Sequence, residues 1–338
     1  MASNDDWPRS VLNAKYRSLR EEFLYKGNLW ANWTSEAIIR RVEDQFQFRS
    51  NDVIISSYPK SGNTFLSEIV SLLSASQGQQ EKWAKTLEWV NAYPIYKRVV
   101  FIEEIYQHLY PKCSKTQSAM EYLERWPVSD PHECRLIKTH LPADSIQSAF
   151  KRVSQPPQII YVYRNPKDTC VSMFHFYRGA EEYGPFAGDW NEFFQMWLDG
   201  WIAAGDWRRV VPEWLRYAKM SRNWEKAILC ISYESLVQEP LQCVERLNQL
   251  LNPGCPLDPD VGEAIRKHTS FEQMRKNPQT NYQNVEGFVD DFQFMRKGKV
   301  GDWKNWFTED QNYEFDRVYE ECINTVNKLL SPNELIFE

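Results

Sequence analysis

Ser57 to Ser67 reads SYPKSGNTFLS, preceded by the apolar run DVIIS (Asp52–Ser56) and followed by a helical pattern. In NTFLSEIVSLLS, Leu66, Ile69, Val70 and Leu73 share one helical face. A glycine turn between a strand and a helix presents free N–H groups and the positive end of a helix dipole, which suit an anion. Here Lys60 comes before Gly62, whereas the loops of nucleotide triphosphatases place glycine first and lysine after it. No segment clearly supplies the aspartate that holds Mg²⁺ in those enzymes. The expectation is a metal-free transfer in which lysines provide the electrostatic stabilisation.

Three more apolar runs extend this unit: CRLIKTH (Cys134–His140), PQIIYVYRNP (Pro157–Pro166) and AILCISYESL (Ala227–Leu236). DTCVSMFHFYRGAEEY reads as the helix after the second of these, with Asp168 as its N-cap. Strand followed by helix, several times over, predicts an α/β fold. It is expected to be a single domain with a central, mainly parallel β-sheet flanked by helices, and a P-loop-like turn after the first core strand. Ligands of open α/β sheets sit beyond the carboxyl ends of the strands. Three such ends carry cations: Lys60, then Lys138 with His140, then Arg164 with Ser172 eight residues on. MRKGKVG adds Arg296, Lys297 and Lys299. Singly, Lys60 and the basic turn read as solvated, His140 as structural and Arg164 as half of a surface ion pair. Together they predict a polyanionic ligand.

The chain has 338 residues, 42% hydrophobic, with 14 Trp, 17 Tyr and 18 Phe, enough for a large core. Its net charge of −6 argues against nucleic acid as a partner. The first 25 residues are charged throughout and lack the apolar core of a secretory signal. No apolar run approaches the roughly 20 residues needed to span a membrane. Seven scattered cysteines, with no CxxC pair, fit a reducing cytoplasm and argue against a zinc site. Residues 1–50 read as a segment packing on the core. Residues 105–133 read as a surface excursion, 190–226 as tryptophan-rich core helices, and 279–307 as an ordered loop closing over the site.

The ordered segments YPKSGNTF, KTHLP, YRNPKDTCVSMFHFY, HTSFEQMRKNPQTNY and RKGKVGDWKNWF resemble the cytosolic sulfotransferase family over about Val53–Phe307. The resemblance implies that the polyanion is 3′-phosphoadenosine 5′-phosphosulfate (PAPS), with 3′,5′-ADP as product and no metal required. It makes Lys60, Ser61, Gly62, Asn63 and Thr64 the phosphosulfate loop, with Lys60 catalytic. Arg164, Ser172, Arg296, Lys297 and Gly298 match 3′-phosphate positions, and Phe65, Thr269 and Phe271 match adenine positions. His140 matches the catalytic base and Lys138 its neighbouring stabiliser; Ser172 is also counted with the catalytic group. Phe101 and Phe176 match aromatics that touch the acceptor, beside Lys138 and His140.

Three departures stand out. Asn63 and Phe65 replace a threonine and a tryptophan, and Asn63 is expected to donate to the donor through side chain and backbone. Arg208, in GDWRRVVPEW, replaces an aromatic that contacts adenine; a guanidinium plane can stack there instead. KNWFTEDQNY carries Glu309 and Tyr313 where the family's dimer motif has valine and glutamate, so a monomer or weak homodimer is expected. The acceptor is expected to be a small amphipathic phenol, catecholamine, steroid or other alcohol. Glu181 and Glu182 would favour an amine, unless they are simply solvated. Tyr93, Tyr183 and Phe288 border the pocket or pack the core. Competing expectations are an ATP-dependent small-molecule kinase, a non-catalytic carrier of hydrophobic ligands, and dehydration of an alcohol in the same site.

Overall fold

The computed structural model describes residues 22–104, 119–124, 134–181, 186–221 and 228–330. Trp224, Tyr183, Glu182 and most of the 105–133 excursion lie outside them. Within that excursion, the short helix Ala119–Glu124 buries Ala119, Met120 and Leu123.

The chain opens with a small antiparallel pair, β1 (Phe23–Tyr25) and β2 (Asn28–Trp30), followed by α1 (Glu36–Asp44). Next come β3 (Val53–Ser57), α2 (Asn63–Ser76), the edge strand β4 (Val100–Phe101) and β5 (Leu136–Thr139). Then follow β6 (Gln158–Tyr163), α3 (Pro166–Gly179), α4 (Trp190–Asp199), α5 (Trp207–Met220) and β7 (Leu229–Ser232). The last elements used below are α6 (Tyr233–Gln238), α7 (Pro259–His268) and the long α8 (Glu309–Leu329).

The five core strands form a wholly parallel sheet in the order β4-β5-β3-β6-β7. Both faces are covered, so the strands are apolar except at their ends, and alternate side chains enter separate cores. Ile159, Tyr161 and Tyr163 of β6 join one core with Ile54 and Ile137, while Ile160 and Val162 join the other with Ile55 and Leu136. The register aligns Ser56 with both Thr139 and Tyr161, so the carboxyl ends of β3, β5 and β6 lie level. Four tryptophans of the 190–226 stretch, Trp197, Trp201, Trp207 and Trp214, are buried as core residues.

The cap of α3 differs from expectation. Asn165 is the N-cap, its side chain accepting from Lys167 N–H, because Pro166 already starts the helix. Asp168 lies inside the first turn. Its carboxylate accepts from the peptide N–H groups of Gly301 (2.6 Å) and Trp303 (2.9 Å). It thereby ties the C-terminal loop to the helix that follows β6.

Candidate active site

A cavity of about 450 Å³ opens at the level ends of β3, β5 and β6. Around it stand Lys60, Gly62, Asn63, Thr64, Phe65, Phe101, Lys138, His140, Arg164, Ser172, Phe176, Thr269, Phe271, Arg296, Lys297 and Gly298. Residues far apart in sequence therefore converge, each delivered by a strand end, a helix start or the C-terminal loop.

The loop after β3 is shaped by two left-handed residues, Lys60 (φ +65°) and Gly62 (φ +100°). A side chain at Gly62 would come within 2.6 Å of the Tyr233 ring, so glycine is needed for space as well as conformation. For lysine the left-handed backbone is a strained state, sustained here because the surrounding loop over-determines it. Lys60 Nζ lies 4.0 Å from the centre of the Phe176 ring and 4.4 Å from that of Phe294. Burial, then the charges of Arg164, Lys138 and Arg296, push its ammonium down to about 7.

Arg164 is buried and lies over the Tyr233 ring, 4.3 Å from its centre. One Nη donates to the carbonyl of Lys60 (3.1 Å) and the other to that of Lys299 (3.4 Å). The guanidinium thus bridges the two loops, and its buried Nε has no partner. Arg296 and Lys297 both bind Asp302, each at 2.6 Å. Burial opposes ionisation of Asp302, but Lys297, Asn305 and Arg296 outweigh it and hold the carboxyl near about 2. Gly298 (φ +63°) packs so closely that a side chain there would come within 2.1 Å of Phe271.

At the other end of the cavity, His140 Nδ1 lies 2.8 Å from the carbonyl of Ser57. A carbonyl only accepts, so the proton is on Nδ1 and the Nε2 lone pair is left as a base. Burial, followed by the charges of Lys138 and Lys60 and against the Ser57 hydrogen bond, lowers the imidazole pKa to about 3. It is neutral in the resting protein. Lys138 Nζ donates to the Tyr282 hydroxyl (3.0 Å). Burial disfavours the Lys138 ammonium, but Tyr282 and Glu104 overcome this and its pKa is raised. Trp33 and Phe101 stack at 5.1 Å, and Phe101 meets the His140 ring edge-on at 5.0 Å. With Phe176, Phe288 and Phe294 they give this end apolar aromatic walls.

Several expectations need correction. Arg208 does not line the cavity. Asp206, two residues away, binds it at 2.7 Å, and it lies toward Tyr319 of α8. Ser61 is fully buried behind the loop and does not line the cavity either. Asn63 turns its amide inward, to Ser57 Oγ (3.0 Å) and the Ile55 carbonyl (3.4 Å). Tyr93 is half exposed, and Glu181 is exposed at the surface, whereas Phe288 lines the cavity. The acids on the lining are instead Glu104 and Glu286.

The sequence reading also missed Tyr233, Tyr282, Phe294 and Glu103. Glu103 is fully buried beyond β4, and its carboxyl accepts from the His140 peptide N–H. Burial, only partly offset by bonds from His140 and Thr139, raises its pKa to about 8. An acid raised in the folded state adds stability that is complete below its unfolded pKa and is lost as pH climbs through the folded value. The thermal midpoint is therefore expected to fall between pH 5 and 8 partly through Glu103, and Glu103→Gln should flatten that slope. An identical slope in the variant would contradict this.

Comparison with known proteins identifies the class. Residues 50–328 match the model of the sulfotransferase domain. Sulfotransferase 1A1 of Rattus norvegicus is 35% identical over 276 residues, covering 80% of this chain and 83% of the relative. Cytosolic sulfotransferase 1 of Danio rerio is 37% identical over 284 residues, covering 82% and 84%. The crystal structure of mouse sulfotransferase SULT7A1 complexed with PAP superposes with a TM-score of 0.66 at 28% identity, over 90% of this chain and 95% of that one. Retinol dehydratase, in complex with retinol and PAP, shares the fold at a TM-score of 0.71 and 18% identity, over 96% and 95%. The chain belongs to the sulfotransferase family and is a sulfotransferase enzyme. Among the described residues no helix is long and apolar enough to cross a membrane.

Proposed function

We propose that this enzyme moves a sulfuryl group from PAPS to the hydroxyl of a small, mostly apolar acceptor in the cytoplasm, leaving a sulfate ester and 3′,5′-ADP. One observation carries the reading: Lys60, Lys138 and Arg164 converge on a single cavity beside a neutral His140 whose Nε2 is the base. The residues fit the donor. Arg164 Nε is a buried donor without a partner, and Arg296, Lys297 and the first residues of α2 line the same cavity. Arg164, Ser172 and the 296–298 turn would hold the 3′-phosphate, with Tyr233, Phe65, Thr269 and Phe271 around the base. PAPS, when bound, supplies a sulfuryl group on a phosphate leaving group. Lys60 and the loop N–H groups stabilise negative charge growing on that phosphate, which is the selective kind of binding that accelerates a reaction. His140 Nε2 takes the acceptor's hydroxyl proton. Lys138, steadied by Tyr282, neutralises charge on the group in transit. Mouse SULT7A1, solved with PAP, supports the donor class.

The aromatic walls favour a flat or bulky apolar acceptor that presents one hydroxyl at the His140 end. A monomer or weak homodimer fits Tyr313, which stands 74% exposed where the family's dimer motif has a charged residue. The test is binding: 3′,5′-ADP is expected to raise the thermal midpoint without added metal, and ATP with Mg²⁺ is not. Stabilisation by ATP–Mg²⁺ alone would favour a kinase and overturn the reading.

A pH dependence follows from Lys60. Its ammonium is half lost near pH 7 in the free protein, and an anionic ligand raises its pKa in the complex. The affinity for 3′,5′-ADP should be greatest below pH 7 and decline above it, with net proton uptake on binding at pH 8. Calorimetry in buffers of different ionisation enthalpy measures that uptake. Zero uptake, or uptake that persists unchanged in Lys60→Met, would contradict the assignment.

A further inference from the structure

We propose that Asn63 is a positioning residue for the base: its amide holds the Ser57 hydroxyl against His140 and so couples the donor loop to the proton acceptor. The contacts form one chain. Ser67 Oγ donates to Asn63 Oδ1 (3.2 Å), and Asn63 Nδ2 donates to the Ile55 carbonyl and to Ser57 Oγ (3.0 Å). Ser57 Oγ lies 3.2 Å from His140 Nδ1. The orientation of the amide is set by the Ile55 carbonyl, which requires an N–H opposite it. Ser57, Asn63 and Ser67 are all buried, so water does not compete for these bonds.

The consequence concerns the imidazole. Its Nδ1–H points between two acceptors of one residue, the carbonyl and the hydroxyl of Ser57. The Asn63 amide pins the Ser57 rotamer that provides the second acceptor. Released, that hydroxyl can turn its proton toward Nδ1. This selects the opposite tautomer and places a proton on Nε2, the atom that must accept one. Asn63 is also the first residue of α2, so its own N–H is one of the helix-terminal donors without an intrahelical partner. A single residue thus faces the donor with its backbone and the base with its side chain. This explains why a carboxamide stands in the loop although its side chain does not reach into the cavity as a donor ligand.

The kinetic arm rests on the sulfuryl-transfer reading; the spectroscopic arm does not. Asn63→Ala, Ser57→Ala and the double variant are compared with the wild type, with thermal melts to establish folding. Expected is a fall in kcat on the order of tenfold for each single variant, from misorientation of the base, with acceptor KM and 3′,5′-ADP affinity little changed. The double variant should fall no further than either single, because both act through one contact. In ¹⁵N-histidine spectra the His140 signals, assigned by their absence in His140→Gln, should report one tautomer with the proton on Nδ1. In Asn63→Ala the second tautomer should appear; in Ser57→Ala and in the double variant, which have no hydroxyl to turn, the proton should stay on Nδ1 against the Ser57 carbonyl. An unchanged tautomer in Asn63→Ala overturns the proposal, as do multiplicative losses in the double variant. Should Asn63→Ala not fold, Asn63→Leu, which keeps the shape of the side chain but donates nothing to Ser57, decides by the same spectrum. A wild type that transfers no sulfuryl group yet shows the tautomer held by Asn63 and Ser57 defeats the functional reading alone.

Discussion

Replacing His140 with alanine is expected to lower turnover about 10²- to 10⁴-fold, the usual contribution of a general base. The affinity for 3′,5′-ADP should survive. His140 sits at the aromatic end of the cavity, held by Ser57 and Glu103, while Arg164 and the 296–298 turn are at the other end. The substitution removes the proton acceptor without touching the anion site. Removing the imidazole also deletes a group that burial, helped by Lys138 and Lys60, keeps neutral, so the cationic field that attracts the donor is unchanged. Single-turnover rates and calorimetric binding measure the two effects separately. An equal loss in both would assign His140 to binding rather than proton transfer.

The second large effect is expected at Arg164. Truncating a buried, hydrogen-bonded charge at an interface with its ligand typically costs about 2–5 kcal/mol. Arg164→Ala should therefore weaken 3′,5′-ADP binding on the order of 10²- to 10³-fold. Two causes add. The guanidinium leaves the anion site, and the bonds to the Lys60 and Lys299 carbonyls that hold the two loops together are lost. Arg164→Lys should rescue little, since an ammonium has no planar fork to span both loops and lie flat on Tyr233. Affinity within threefold of wild type in Arg164→Ala would place the 3′-phosphate elsewhere.

The anion site was legible because its parts announce themselves locally. Gly62 in a strand-to-helix turn, and lysine or arginine at the ends of apolar runs, are short-range signals with one physical meaning. The parallel sheet was legible for the same reason: runs buried on both faces, such as Ile159–Tyr163, stay apolar without a break. What failed depended on side-chain direction. Arg208 has the right place in a motif, yet a carboxylate two residues earlier captures it. Asn63 occupies a loop position that should face the donor, yet buried acceptors at Ile55 and Ser57 draw its amide inward. Tyr233 was available to the same argument that found Lys60 and Arg164, since it directly follows the last strand at Ser232. It was absorbed into that strand because the apolar run continues without a break into α6. Glu103 was hidden because β4 is only two residues long and pairs at the sheet edge, too short to carry a period. Tyr282 and Phe294 come from a loop with no repeating pattern at all.

Transfer itself gives the most direct test. The protein is incubated with PAPS labelled in the sulfuryl group, without divalent metal, and with phenols, steroid alcohols, hydroxylated lipids and catecholamines. The account predicts label on at least one hydroxyl acceptor, in step with 3′,5′-ADP released, and its disappearance in His140→Ala. Binding of 3′,5′-ADP with no labelled product from any acceptor would contradict it, as would an alcohol converted to an alkene with all the label recovered as free sulfate.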